Sequence, residues 1–165
     1  MKLNYVEIPE GVSVSISGSS IEVKGPKGKI ARSFKKVTLK HEGARVIVES
    51  SDKAMKGTAL SHIRNMVKGV KDGYEVNLEF LHAHFPITLE VKGKDIIIKN
   101  FLGEKVSRKA HITGDTKVEV KGKSLHIFGP DKEGVSQTVQ NIRKATRIKN
   151  RDPRVFQDGF YSVEA

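Results

Sequence analysis

Six cations crowd the stretch from Arg143 to Arg154, namely Arg143, Lys144, Arg147, Lys149, Arg151 and Arg154, opposed within it only by Asp152. Clustered side chains of these types do one kind of chemistry well: they hold polyanions. A guanidinium can fork onto a phosphate with two parallel hydrogen bonds, and an ammonium acts as a point charge. Burying so many like charges unpaired is costly, so the segment must face water or an anionic partner. A helix end accounts for Arg143 and Lys144, because cations suit the negative end of the helix dipole. It does not account for Arg151 and Arg154, which lie beyond the helix and before the turn signal Asp158-Gly159. Phe156, just past them, either stacks on a base or sugar or plugs the core, and the core reading is the stronger.

Smaller clusters carry weaker signals of the same kind. Lys132 falls in the first turn of the same helix, where free amides favour anions, although Asp131 stands ready to cap them. Lys105, Arg108 and Lys109 lie in a loop or hairpin, Asn100–Lys109, that carries a glycine; a solvated tip and an RNA contact explain it equally well. The same holds for Gly25-Pro26-Lys27-Gly28-Lys29 earlier in the chain. His82 and His84 would share one face of a strand, but no third ligand is near, so no metal is expected. Gly122-Lys123-Ser124 imitates the end of a phosphate-binding loop, yet Lys117 stands where that loop needs glycine. No serine–histidine–acid set, carboxylate pair or dinucleotide fingerprint is present. The reading is of a non-enzyme without catalytic residues or cofactor.

Hydrophobic residues make up 37% of the 165 and charged residues 30%, so a core is sustainable under a heavily ionic surface. The net charge of +11 points to nucleic acid first and to an acidic membrane surface second. The absence of cysteine excludes disulfides, thiolate metal sites and cysteine nucleophiles. Met1 to Glu7 lacks the apolar core of a signal peptide, and no apolar run reaches the roughly 20 residues that span a bilayer. A soluble, intracellular protein without membrane contact is expected.

The elements that position these residues follow from periodicity. Val12, Val14 and Ile16 alternate with serines as a half-buried strand, and Ile21 and Val23 alternate back across Gly18-Ser19-Ser20. A strand is predicted around Ile30 to Leu39, a short one at Val46–Val48, and another from Tyr74 to Phe80. Asp52 can cap a helix with Met55, Ala59, Ile63, Met66 and Val70 on one face. The pattern then recurs: Ile87, Leu89 and Val91 lie 75 residues beyond Val12, Val14 and Ile16, and Gly103 lies 75 beyond Gly28. Val118 and Val120 face Leu125 and Ile127 across Gly122-Lys123, and a second helix carries Val135, Val139, Ile142 and Ala145. The predicted fold class is α+β: two similar duplicated domains, each a small, mostly antiparallel sheet packed with one helix. The expected bounds are 1–82 and 83–165, the second with the basic segment.

Four segments carry a family resemblance: N-M-V-K-G-V at Asn65–Val70, A-H-F-P-I at Ala83–Ile87, N-F-L-G-E-K at Asn100–Lys105, and A-T-R-I-K-N-R-D-P-R-V-F-Q-D-G at Ala145–Gly159. With the duplication, the chain resembles over nearly its full length the family of the sixth protein of the large ribosomal subunit, in its archaeal or eukaryotic form. The resemblance implies a structural part of the cytoplasmic large subunit that binds its rRNA near the sarcin–ricin loop and the stalk base. It further implies neighbouring stalk-base ribosomal proteins as partners and translation GTPases close by. By position it points to Lys105, Arg108 and Lys109, and to the segment with Lys132, Asn141, Arg143, Lys144, Arg147, Lys149, Asn150, Arg151 and Arg154. His62, Arg64 and Lys68 on the first helix are weaker candidates. Bacterial members differ in the C-terminal stretch, so their contacts do not transfer. The alternative is a free-standing basic module docking an acidic protein or RNA partner.

Overall fold

A computed structural model of the chain describes residues 5–163; the reading of Met1–Asn4 as free of a signal core lies outside them. Two compact bodies result, one of residues 5–73 with the turn 130–132, the other of residues 74–129 and 133–163.

In the first body, strands β1 (Tyr5–Glu7), β2 (Ser13–Ser17), β3 (Ser20–Gly25), β4 (Gly28–Ser33), β5 (Thr38–Glu42) and β6 (Arg45–Glu49) precede helix α1 (Lys53–Lys71). They form two antiparallel three-stranded sheets, in the orders β1-β6-β5 and β2-β3-β4. The alternating pattern buries Ile21 and Val23 from one sheet and Val46 and Val48 from the other against Ala59, Ile63, Met66 and Val70 of α1. Each such side chain, fully buried, contributes about 1.5–3 kcal/mol relative to exposure. Asp52 caps α1 as its type suggests, its carboxylate accepting the Ala54 amide at 2.8 Å.

The strand expected over Ile30–Leu39 is two strands in different sheets. Lys36 takes a left-handed φ of 58°, and Phe34 and Val37 turn into the core at the crossing, which ends one ladder and begins the other. Gly25 is required by proximity: a Cβ there would stand 2.7 Å from the Val70 carbonyl oxygen, which already accepts the Lys27 amide at 2.9 Å. The basic turn after β3 is therefore also the seat of the C-terminal end of α1.

The second body repeats this order with β7 (Tyr74–Leu81), β8 (Thr88–Lys92), β9 (Asp95–Lys99), a 3-10 turn at Phe101–Gly103, β10 (Arg108–His111), β11 (Lys117–Lys121) and β12 (Ser124–Gly129). Helix α2 (Lys132–Ala145) follows, and β13 (Gly159–Val163) is added after it. The sheets are β10-β9-β8 and β11-β12-β7-β13, again antiparallel. Strand β7 pairs with β12 as β1 pairs with β6, so β7 opens the second copy. The division thus falls at Gly73–Tyr74 rather than near His84, because Leu78 and Phe80 of β7 belong to the second core. That core also gathers Ile96, Ile98, Phe101, Leu125, Ile127, Val135, Ile142 and Phe160. Among the described residues no helix is long and apolar enough to cross a membrane.

Candidate nucleic-acid interface

Helix α2 buries Val135, Thr138, Val139 and Ile142, which forces Arg143 and Lys144 onto its solvent side. Its end is locked from within. The buried Thr146 hydroxyl donates to the Ile142 carbonyl at 3.0 Å, and its amide donates to the same oxygen. Arg108, reaching from β10, donates through Nη1 to the carbonyl oxygens of Ala145 at 2.9 Å and Arg147 at 3.1 Å. The first is an acceptor that a helix end leaves without an intrahelical partner, and the second belongs to the chain just beyond it.

From there the chain runs through a shaped loop. Asn150 takes a left-handed φ of 57°. Asp152 builds the next turn: its Oδ1 accepts the Arg154 amide at 2.9 Å, and its carbonyl accepts the amides of Val155 and Phe156. No ion pair of Asp152 occurs among the described residues, so this acid folds the loop without pairing any of its cations. Phe156 is half-buried, with the His84 ring 5.0 Å away and the Arg151 guanidinium 5.3 Å from its centre. Its ring is thus engaged by side chains rather than sunk in the core. Asp158 is buried, and its two oxygens accept the His84 amide at 2.7 Å and the His84 Nδ1–H at 2.6 Å. Then β13 pairs with β7.

The loop is therefore tied at both ends while its cations stay outside. Arg143, Lys144, Arg147, Lys149, Arg151 and Arg154 are all exposed. Arg143 donates to Ser162 Oγ at 2.7 Å, which aims it along β13. Lys144, Arg147, Lys149 and Arg154 have no ion-pair partner among the described residues. Asn150, within that loop, is exposed, and so are Lys105 and Lys109.

Other candidates are differently employed. Arg108 is half-buried, and besides its carbonyl bonds it forks onto Glu104, Nε to Oε2 at 2.8 Å and Nη2 to Oε1 at 2.6 Å, while lying over the Phe101 ring. Those bonds hold the Glu104 carboxyl below the usual carboxylate range. Asn141 donates to the His111 carbonyl at 2.8 Å and accepts from Gln137, fastening α2 to the end of β10. Both residues thus act as fasteners of the scaffold. Lys132 is exposed but groups with the first body. On α1, His62 is half-buried, takes a hydrogen bond from Arg32 at 2.9 Å and lies beside Phe34. Arg64 and Lys68 line a separate groove of about 590 Å3 with Lys71 and β1.

The resemblance segment Asn100–Lys105 is likewise scaffold. Asn100, Leu102 and Gly103 all take positive φ, Phe101 is buried, Asn100 donates to the Pro86 carbonyl, and Phe85 packs against Gly103. Gly122-Lys123 is the tip of the β11–β12 hairpin. His82 and His84 do not act as a ligand pair: His82 sets its ring edge-on to Tyr161, whereas His84 is bound to Asp158. Among the described residues no group of three or more His, Cys, Asp or Glu could hold a metal ion. Sequence reasoning did not single out Asp158, Thr146 or Tyr161 as parts of the site. Only the A-H-F-P-I and V-F-Q-D-G segments, 74 positions apart at His84 and Asp158, hinted at such a pairing.

The duplicated scaffold thus spends its polar side chains on holding a solvated cationic loop at both ends. Residues 8–73 and 85–159 match the family described as Ribosomal protein L6. The chain is 46% identical to the large ribosomal subunit protein uL6 of Methanocella arvoryzae over 97% of its own length and 95% of that protein's. It is 48% identical to that of Methanosarcina mazei, covering 96% and 94%, and 47% identical to that of Staphylothermus marinus, covering 94% and 90%. The chain belongs to the ribosomal protein L6 family, whose members are structural, non-enzymatic components of the cytoplasmic ribosome.

Proposed function

We propose that this chain is a structural constituent of the large ribosomal subunit that binds large-subunit rRNA through its second body. The docking place is near the sarcin–ricin loop and the stalk base, beside neighbouring stalk-base proteins, where it braces the surface that translation GTPases approach. The observation that carries the rRNA reading is the loop 147–158, exposed in its cations yet fixed at Thr146 and Asp158. Lysines and arginines displace counterions from the RNA backbone, and such contacts fix register more than sequence. A-form RNA hides its base edges in a deep groove, so backbone shape and unpaired nucleotides are what the loop can read.

The test is binding to an rRNA fragment containing the sarcin–ricin region across a salt series, against an unrelated RNA of equal length. Tight binding that weakens steeply with salt and favours the ribosomal fragment is expected. Equal affinity for both RNAs would reduce the reading to a basic module without a place on the subunit. Co-sedimentation with the large subunit in stoichiometric amount is the companion expectation, and a free-standing module would remain at the top of the gradient.

A further inference from the structure

In the second body a groove of about 460 Å3 runs along the free edge of β13, between that strand and the C-terminal end of α2. Arg143 and Arg147 supply its cations, Ile148 and Phe156 part of its apolar lining, and Tyr161 an aromatic ring. The acid in its wall, Asp158, is buried and turns both oxygens to His84, so it does not confront an incoming anion. Phe156 is already occupied by His84 and Arg151. Tyr161 meets the His82 ring edge-on at 5.9 Å yet stays 42% exposed, and its orientation is fixed because its hydroxyl donates to the Gln157 carbonyl at 2.8 Å. An exposed aromatic held still by its own hydroxyl, next to two arginines, is the arrangement that stacks an unpaired base and pairs its phosphate.

We propose that this groove receives a single unpaired nucleotide of the bound RNA, its base on the Tyr161 ring and its phosphate on Arg147 and Arg143. The proposal rests on the RNA-binding reading above and assigns the groove a ligand of one chemical class. It separates the basic surface into two functions: Lys144, Lys149 and Arg154 grip any backbone, whereas the groove selects RNA that offers an extruded base.

The test uses the full chain and two RNA hairpins of the same stem, one fully paired and one with a single unpaired 2-aminopurine. The bulged hairpin is expected to bind about tenfold more tightly, with altered 2-aminopurine emission. Tyr161→Ala is expected to abolish that preference, so that the two hairpins bind alike. Tyr161→Phe keeps the ring but loses the tether to Gln157, so it is expected to retain a reduced preference above that of Tyr161→Ala, which guards against a loss caused by misfolding. Equal, salt-sensitive binding of both hairpins with unchanged emission would overturn the groove proposal and leave the electrostatic reading standing. Failure of both hairpins to bind would overturn both.

Discussion

Arg108 donates to the carbonyl oxygen of Ala145 at 2.9 Å, so a strand residue closes the helix from which the cationic segment departs. The same guanidinium is held in plane by the Glu104 carboxylate. Its role is mechanical, and its charge is largely spent. Arg108→Ala is expected to lower stability by about 2 kcal/mol, as charged hydrogen bonds at a part-buried site do, measured by urea unfolding. Arg108→Lys should recover little, because an ammonium cannot serve carboxylate and carbonyls as a planar fork does.

The Arg108–Glu104 pair sets a pH dependence. The Glu104 carboxyl titrates below its usual range because Arg108 hydrogen-bonds its charged form. A depressed carboxylate stabilises the fold above its unfolded pKa, and that contribution is lost as pH falls through the folded value. The expected result is a Glu104 carboxyl signal by NMR that shifts only in acid below the ordinary glutamate midpoint. Arg108→Gln should move its midpoint back up.

Replacing Arg147, Arg151 and Arg154 together with Ala removes three exposed cations and no core contact. The expected outcome is weaker rRNA binding, with the slope of log affinity against log salt reduced by about two to three. The urea midpoint should stay nearly unchanged. An unaltered slope would place the RNA on another face.

Asp158 is buried with both oxygens on His84, so its loss strands a part-buried amide and an imidazole. Asp158→Ala is expected to cost about 2 kcal/mol or more. Faster hydrogen exchange at the His84 amide and in β13 should accompany it, and Asp158→Asn should fall between the two. RNA affinity is expected to drop although no cation has been removed.

In the first body, Gly25→Ala would drive a methyl to 2.7 Å from the Val70 carbonyl oxygen, which is backbone and cannot swing aside. A loss of about 1–3 kcal/mol is expected, the range for overpacking a closed contact, read from thermal unfolding of the variant.

Much of this was legible in residue order. Alternation at Val14 and Ile16, the stripe along Met55–Val70 and the repeat at 75 residues follow from periods of side-chain placement, which a sequence displays directly. The α+β duplication and its helices followed from them. The start of the second copy did not, because Tyr74–Leu81 alternates equally well as the last strand of one repeat or the first of the next. Only its pairing with Ser124–Gly129 decides. Arg108 and Asn141 were read by charge and by family position, which do not announce their long-range bonds to Ala145 and His111. Asp158 read as part of a turn signal and His84 as one of two histidines lacking a third ligand, since nothing local announces a partner 74 positions away.

The strand β13 has a consequence for affinity itself. A flexible tail of arginines must surrender its freedom to lie along RNA, and that lost freedom is subtracted from every contact it makes. Here the chain returns to its own sheet after the cations, and folding has already closed the loop between Thr146 and Asp158. The restriction is charged to folding rather than to association. The backbone of the segment is therefore placed before any partner arrives, and the chain entropy a free tail would lose is not subtracted again.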